Sequence, residues 1–158
     1  MRFLDFRRKL ILIVDGDADP NISLSSLVSA ARRIEQDFKV SLTFVDGQGP
    51  ESLMMYDQKG YPSGLLYASE PFMVGTLRYG YRNYGTLIYL KSTLIKNIDF
   101  TTTGYLAANP TFPHQTTIDQ FFDLDQFDAY RYLGYDAAMS MIDKLNLTVT
   151  IATPEKLR

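Results

Sequence analysis

The sequence predicts an α/β fold: a partial three-layer α/β/α sandwich on a mixed sheet, with one β-α-β unit, a hairpin and C-terminal helices. Three observations carry this. Residues 9–14, KLILIV, form an unbroken apolar run of β-favouring type that stops at a dense turn, DGDADP. Residues 24–38 then repeat apolar side chains at helical spacing, and residues 40–45, VSLTFV, return to strand character. Further on, the strand-like runs 72–79 and 85–91 flank GYRNY, and the pattern after residue 100 is helical. A chain of 158 residues fits one domain, and at this size a fold buries roughly 70% of its unfolded surface.

Hydrophobicity in 9–14 is continuous rather than alternating, which predicts a strand covered on both faces between helix layers. Pro20 ends the turn, and Asn21 or Ser23 is placed to cap the next helix. The apolar stripe of that helix is Leu24, Leu27, Val28, Ala31, Ile34 and Phe38; Arg32, Arg33, Glu35 and Gln36 form its wet side. Residues 46–64, with Gly47, Gly49, Pro50, Gly60 and Pro62, read as a loop. Residues 65–69 are strand-like, and 72–91 read as an antiparallel hairpin with a five-residue connection.

Residues 101–109 predict a short helix, capped by the threonines at 101–103 and ended by Pro110. Thr116 or Thr117 would cap a second, over 118–122. Asp125 starts a longer helix reaching about residue 142. Its expected spine is Phe127, Tyr130, Gly134, Ala137, Ala138 and Met141, with the small residues at 134, 137 and 138 allowing close approach. Residues 145–152 read as a terminal strand or extended tail.

Composition excludes several classes. A net charge of −2 gives no global attraction to nucleic acid or anionic lipid. Without cysteine there is no disulfide scaffold, no Cys-ligated metal and no thiol nucleophile. Eleven Tyr and ten Phe with no Trp suggest an aromatic-rich surface or interface. The basic residues Arg2, Arg7, Arg8 and Lys9 precede an apolar run that meets Asp15-Gly16-Asp17 too soon for a secretory leader. No run approaches the ~20 apolar residues of a membrane span. The expected location is cytoplasmic or peripheral to a membrane.

Asp15, Asp17 and Asp19 follow the first strand, where ligands of open α/β sheets bind. D-x-D-x-D also opens a calcium loop, but Pro20 and Ser26 occupy the positions that need Gly and Glu. The alternative is that these acids serve the turn and the start of the following helix. His114, the only histidine, has Asp119 five residues on and Arg131 further along, a candidate polar site that lacks a nucleophile in a recognisable elbow. Arg78, Tyr79, Tyr81, Arg82 and Tyr84 interleave charge with aromatics, a pattern that binds phosphates or bases or simply decorates a hairpin tip. The segment GYPSG at 60–64 has its Ser one position out of frame for a serine elbow.

Residues 109–134, NPTFPHQTTIDQFFDLDQFDAYRYLG, together with KLILIVDGDADP and LVSAARRIEQDFKV, resemble the C-terminal part of bacterial patatin-like phospholipases. The resemblance covers about residues 5–140 and makes the chain the final portion of a larger patatin-like domain. It implies an α/β/α sandwich hydrolysing lipid acyl esters with a serine–aspartate dyad and no metal or cofactor. The family's G-x-S-x-G and D-G-G/A motifs match no residue here, and Asp15 falls in register with a later turn.

The first expectation is therefore a fragment or truncated relative of such a hydrolase, inactive alone and without a catalytic residue of its own. The second is an interaction module that binds along an exposed sheet edge. The third is a metal-dependent enzyme using Asp15, Asp17 and Asp19. Partners expected are the missing N-terminal catalytic portion, or a second copy through an exposed edge. Lipid contact follows from the resemblance alone, and no nucleic acid is expected.

Overall fold

The elements follow the order β1 (Leu10–Asp15), α1 (Ser25–Phe38), β2 (Ser41–Phe44), α2 (Pro50–Leu53), β3 (Met55–Asp57), β4 (Leu66–Ala68), β5 (Phe72–Gly80), β6 (Asn83–Lys91), α3 (Phe100–Ala108) and α4 (Leu124–Lys144). They come from a computed structural model that describes residues 9–57, 66–115 and 122–148. Four strands form one mixed sheet in the order β1-β6-β5-β2, and β3 pairs with β4 in a separate ribbon. β1 runs parallel to β6, while β5 is antiparallel to both β6 and β2. It follows that β1 and β2 are parallel. The β-α-β unit exists, with the β5–β6 hairpin inserted between its two strands.

The sheet is the middle of three layers because adjacent residues on a strand point to opposite faces. On one face, Met73, Leu77, Leu87 and Tyr89 pack with Leu24, Leu27 and Leu53, against which Ile34 of α1 is half-buried. On the other, Phe72, Ile88 and Leu90 pack with Ala137 and Met141 of α4. A third cluster joins α3 to the first half of α4 through Tyr67, Leu94, Leu106, Phe112, Ala129 and Leu133.

Several expectations are corrected. β1 is not covered on both faces: it is the outer strand, with Leu10 at 57%, Leu12 at 52% and Val14 at 69% exposure. The hairpin connection is two residues, not five. Both strands run on to Gly80 and Asn83, and the tight reversal needs positive φ at Gly80 (136°) and Arg82 (61°). Residues 46–64 are not loop throughout: α2 turns Leu53 into the core, a burial worth roughly 1.5–3 kcal/mol. The buried stripe of α4 is Ala129, Leu133, Ala137 and Met141, rotated from the expected one; Phe127 and Gly134 are exposed. A Cβ at Gly134 would meet nothing within 4 Å, so no neighbour exploits its small size. The close approach occurs instead at Gly75, where a Cβ would lie 2.7 Å from Leu42 Cδ1.

The caps also differ. Asp99 caps α3 by accepting from the Thr101 N–H at 2.8 Å, and Asp123 caps α4 by accepting from the Gln126 N–H at 2.7 Å. Leu145 closes α4, its N–H donating to the Met141 carbonyl at 3.0 Å, so residues 145–148 do not continue as a strand. The helix expected over 118–122 falls largely outside the described residues.

Candidate functional site

Parallel register sets Asp15, the last residue of β1, beside Lys91, the last of β6. Lys91 is fully buried, and its ammonium lies 3.1 Å from Asp15 Oδ2. It also donates to the Asp17 carbonyl at 2.6 Å. Tyr89, two residues before Lys91 and on the same face, donates its hydroxyl to Asp15 Oδ2 in a short hydrogen bond. The Asp17 N–H donates to Asp15 Oδ1 at 2.8 Å. Both oxygens of Asp15 are thus taken up by partners within the chain.

Asp19 serves α1. Its carboxylate accepts from the Ser23 N–H at 2.9 Å, the Ser23 hydroxyl at 3.0 Å and the Leu24 N–H at 2.8 Å. Neither Asn21 nor Ser23 caps the helix as expected: Leu24 stands at the cap position with φ 51° and no side-chain cap. The Asp19 backbone N–H donates to His114 Nδ1 at 3.3 Å, tying the turn to the 109–115 segment. That segment is held in turn by Phe112, which meets Tyr105 and Tyr130 edge-on at 5.4 and 4.8 Å. Tyr130 also donates its hydroxyl to the Pro113 carbonyl at 3.1 Å.

The electrostatics follow from these contacts. Burial pushes the Asp15 carboxyl upward, but hydrogen bonds from Tyr89, the Asp17 N–H and Lys91 outweigh it, and its pKa is lowered. Asp19 is lowered in the same way: burial opposes, and the Ser23 and Leu24 donors win. Burial and the Asp15 carboxylate raise the Tyr89 phenol. Burial and then the nearby Lys91 charge lower His114, against the pull of Asp19. A neutral imidazole accepting at Nδ1 carries its proton on Nε2. That atom is buried and has no partner among the described residues.

Asp15, Asp17, Asp19, Lys91 and His114 line one cleft of about 390 Å³, together with residues 23–26 at the start of α1. The structure therefore gathers four of the residues the sequence singled out, although exposed Asp17 joins the network only through its backbone. Arg131 does not join them: it is exposed on α4, pairing with Asp128 at 3.1 Å and lying over the Tyr132 ring at 4.2 Å. Asp119 and the GYPSG segment lie outside the described residues. Sequence reasoning missed Lys91 and Tyr89. The available signal was a lysine ending the otherwise apolar strand GTLIYLK, a charge that only a partner makes tolerable in a core.

The chemistry of this cleft is restrained. Ser23 and Asp19 form a hydroxyl–carboxylate contact four residues apart, yet a carboxylate held below its usual range by backbone donors is a weak base. The three acids diverge to separate partners, and no group of three or more metal-binding side chains occurs among the described residues. At the other end of the sheet, Arg82 lies 5.1 Å from the Tyr81 ring centroid on the exposed hairpin tip, away from this cleft. No helix among the described residues is long and apolar enough to cross a membrane. No family model, curated protein or solved structure matches the chain.

Proposed function

We propose that this chain is the non-catalytic C-terminal part of a patatin-like acyl hydrolase, contributing sheet and outer helices to a site whose nucleophile and base lie elsewhere. The observation that carries the reading is β1: an apolar strand ending in Asp15 on the outer edge of the sheet, with Leu10, Leu12, Ile13 and Val14 exposed. A strand of that composition suits the interior of a larger sheet, and another strand beside it would complete the layer. The resemblance of residues 109–134 to the family's C-terminal block supports the same reading. So does the Asp15–Lys91–Tyr89 network, whose saturated hydrogen bonds brace the strand ends rather than activate a nucleophile.

Reading the coding DNA immediately upstream of the Met1 codon tests this. G-x-S-x-G and D-G-G/A should be encoded there, in this frame or a neighbouring one; unrelated sequence would overturn the reading. A second check is turnover of p-nitrophenyl butyrate by the purified chain. None above buffer is expected, and a rate abolished by Ser23→Ala would contradict the non-catalytic assignment.

A further inference from the structure

The two edges of the main sheet are unlike. β2 is four residues long, whereas β1 has six and no charge between Lys9 and Asp15. Proteins blunt exposed edges with short strands, charges or proline. β2 is blunted by its length, and among the described residues β1 carries no charge or proline between its ends.

The β1 backbone is arranged to receive another strand. Thr86 N–H donates to the Lys9 carbonyl at 2.8 Å, and Ser92 N–H to the Asp15 carbonyl at 2.9 Å. Odd-numbered residues of β1 thus turn their backbone groups toward β6. By the two-residue period of a strand, Leu10, Leu12 and Val14 turn theirs to the open edge. The same three side chains share a face with the α4 layer. Leu12 and Val14 stand beside Ile88 and Leu90, which α4 buries, yet they remain about half or more exposed.

We infer that the chain on its own pairs with a second copy of itself, β1 against β1 in antiparallel register about a two-fold axis at Leu12. The outward backbone groups and the symmetric placement of Lys9 and Asp15 favour this occupant and direction. Lys9 and Asp15 stand symmetrically about Leu12, so antiparallel pairing sets each Lys9 opposite the Asp15 of the other copy, a secondary attraction because that carboxylate is already paired with Lys91 of its own chain. Parallel in-register pairing would instead oppose like charges. The antiparallel register also makes Leu10–Val14 and Leu12–Leu12 the hydrogen-bonded pairs, and these are the residues whose backbone groups face outward. A two-fold contact uses the same patch on both copies and closes. The product is one continuous eight-stranded sheet with the short β2 at each end. The inference goes beyond the acyl-hydrolase reading, because it concerns the free chain, and upstream DNA of either kind leaves it standing.

Size-exclusion chromatography with light scattering at roughly 100 µM protein tests it, a concentration that reveals associations of micromolar Kd. A dimer is expected. Leu12→Lys places two ammonium groups face to face on the axis and should raise the dimer Kd on the order of 100-fold while leaving the circular dichroism spectrum unchanged. Lys9→Asp opposes carboxylates at both ends and should raise it about tenfold, which keeps the test open if the Leu12 variant fails to fold. A monomeric wild-type chain overturns the inference. So does a dimer that neither variant weakens, or an open-ended series of oligomers.

Discussion

β1 inverts the usual arrangement of apolar and charged groups. Its flank of Leu10, Leu12 and Val14 lies in water, while at its end the fully buried Lys91 pairs with the partly buried Asp15 at the floor of the cleft. The two regions are adjacent, so the difference is not one of local order. The charged end is complete: each Asp15 oxygen has a donor, and Lys91 has a carboxylate and a carbonyl. The flank is incomplete, with apolar side chains exposed and one line of backbone groups turned to the edge. A fold tolerates a buried charge that is fully partnered, and an apolar strand on an edge marks a place where something docks.

Substitutions at the charged end should be costly. Lys91→Met removes the only cation that contacts Asp15 among the described residues and leaves a partly buried carboxylate behind. The expected loss is about 3–5 kcal/mol, seen as a fall in melting temperature of about 10 °C. Adding Asp15→Asn should recover part of it, since removing both charges leaves no unpaired ion; no recovery would mean the pair is not the source of the loss. Asp19→Ala takes three hydrogen bonds from the entry to α1. It should cost about 1 kcal/mol, as lost helix caps do, read as a shift in urea midpoint at unchanged slope.

The same end sets the response to acid. His114 is lowered by burial and by Lys91. A depressed folded-state pKa means the unfolded chain binds the proton more readily, so the contribution is full above the unfolded value near 6.5 and is lost as pH falls through the folded value. Asp15 and Asp19 are also depressed. Their contribution is full above about 4 and disappears as pH drops further through their folded values. Urea stability measured against pH should therefore decline in two windows, and His114→Gln should flatten the upper one alone. A wild-type profile without slope below pH 6.5 would show that His114 is not held neutral by its surroundings. By contrast, Arg131→Ala should leave both melting temperature and oligomeric state unchanged, because that guanidinium is exposed beside Asp128 on α4.

Much of the local structure was readable. α1 begins and ends within one residue of its helical pattern, and the hairpin, α3 and α4 occupy the expected stretches. What was not readable depends on distant residues. A continuous apolar run looks the same whether the strand is central or waits at an edge, so KLILIV could not report its own exposure. The α4 stripe was misplaced because Phe127 and Gly134 fit a helical period as well as Ala129 and Leu133 do; the Tyr67, Leu94 and Phe112 cluster decides between them. The acids of DGDADP were found from their place after a strand, but Tyr89 contacts Asp15 from 74 positions away and only strand pairing brings it there. Arg131 was grouped with His114 by closeness in sequence, and the surface of α4 carries it elsewhere.

Amide hydrogen exchange at Leu10, Leu12 and Val14 probes the edge most directly, since their N–H groups face outward from β1. At high protein concentration these amides should exchange as slowly as those between β5 and β6, and Leu12→Lys should release them to rates of open strands. Fast exchange at these three positions in the wild-type chain, beside slow exchange at Ile11 and Ile13, would show that nothing pairs with β1 and would contradict the docking role given to this edge.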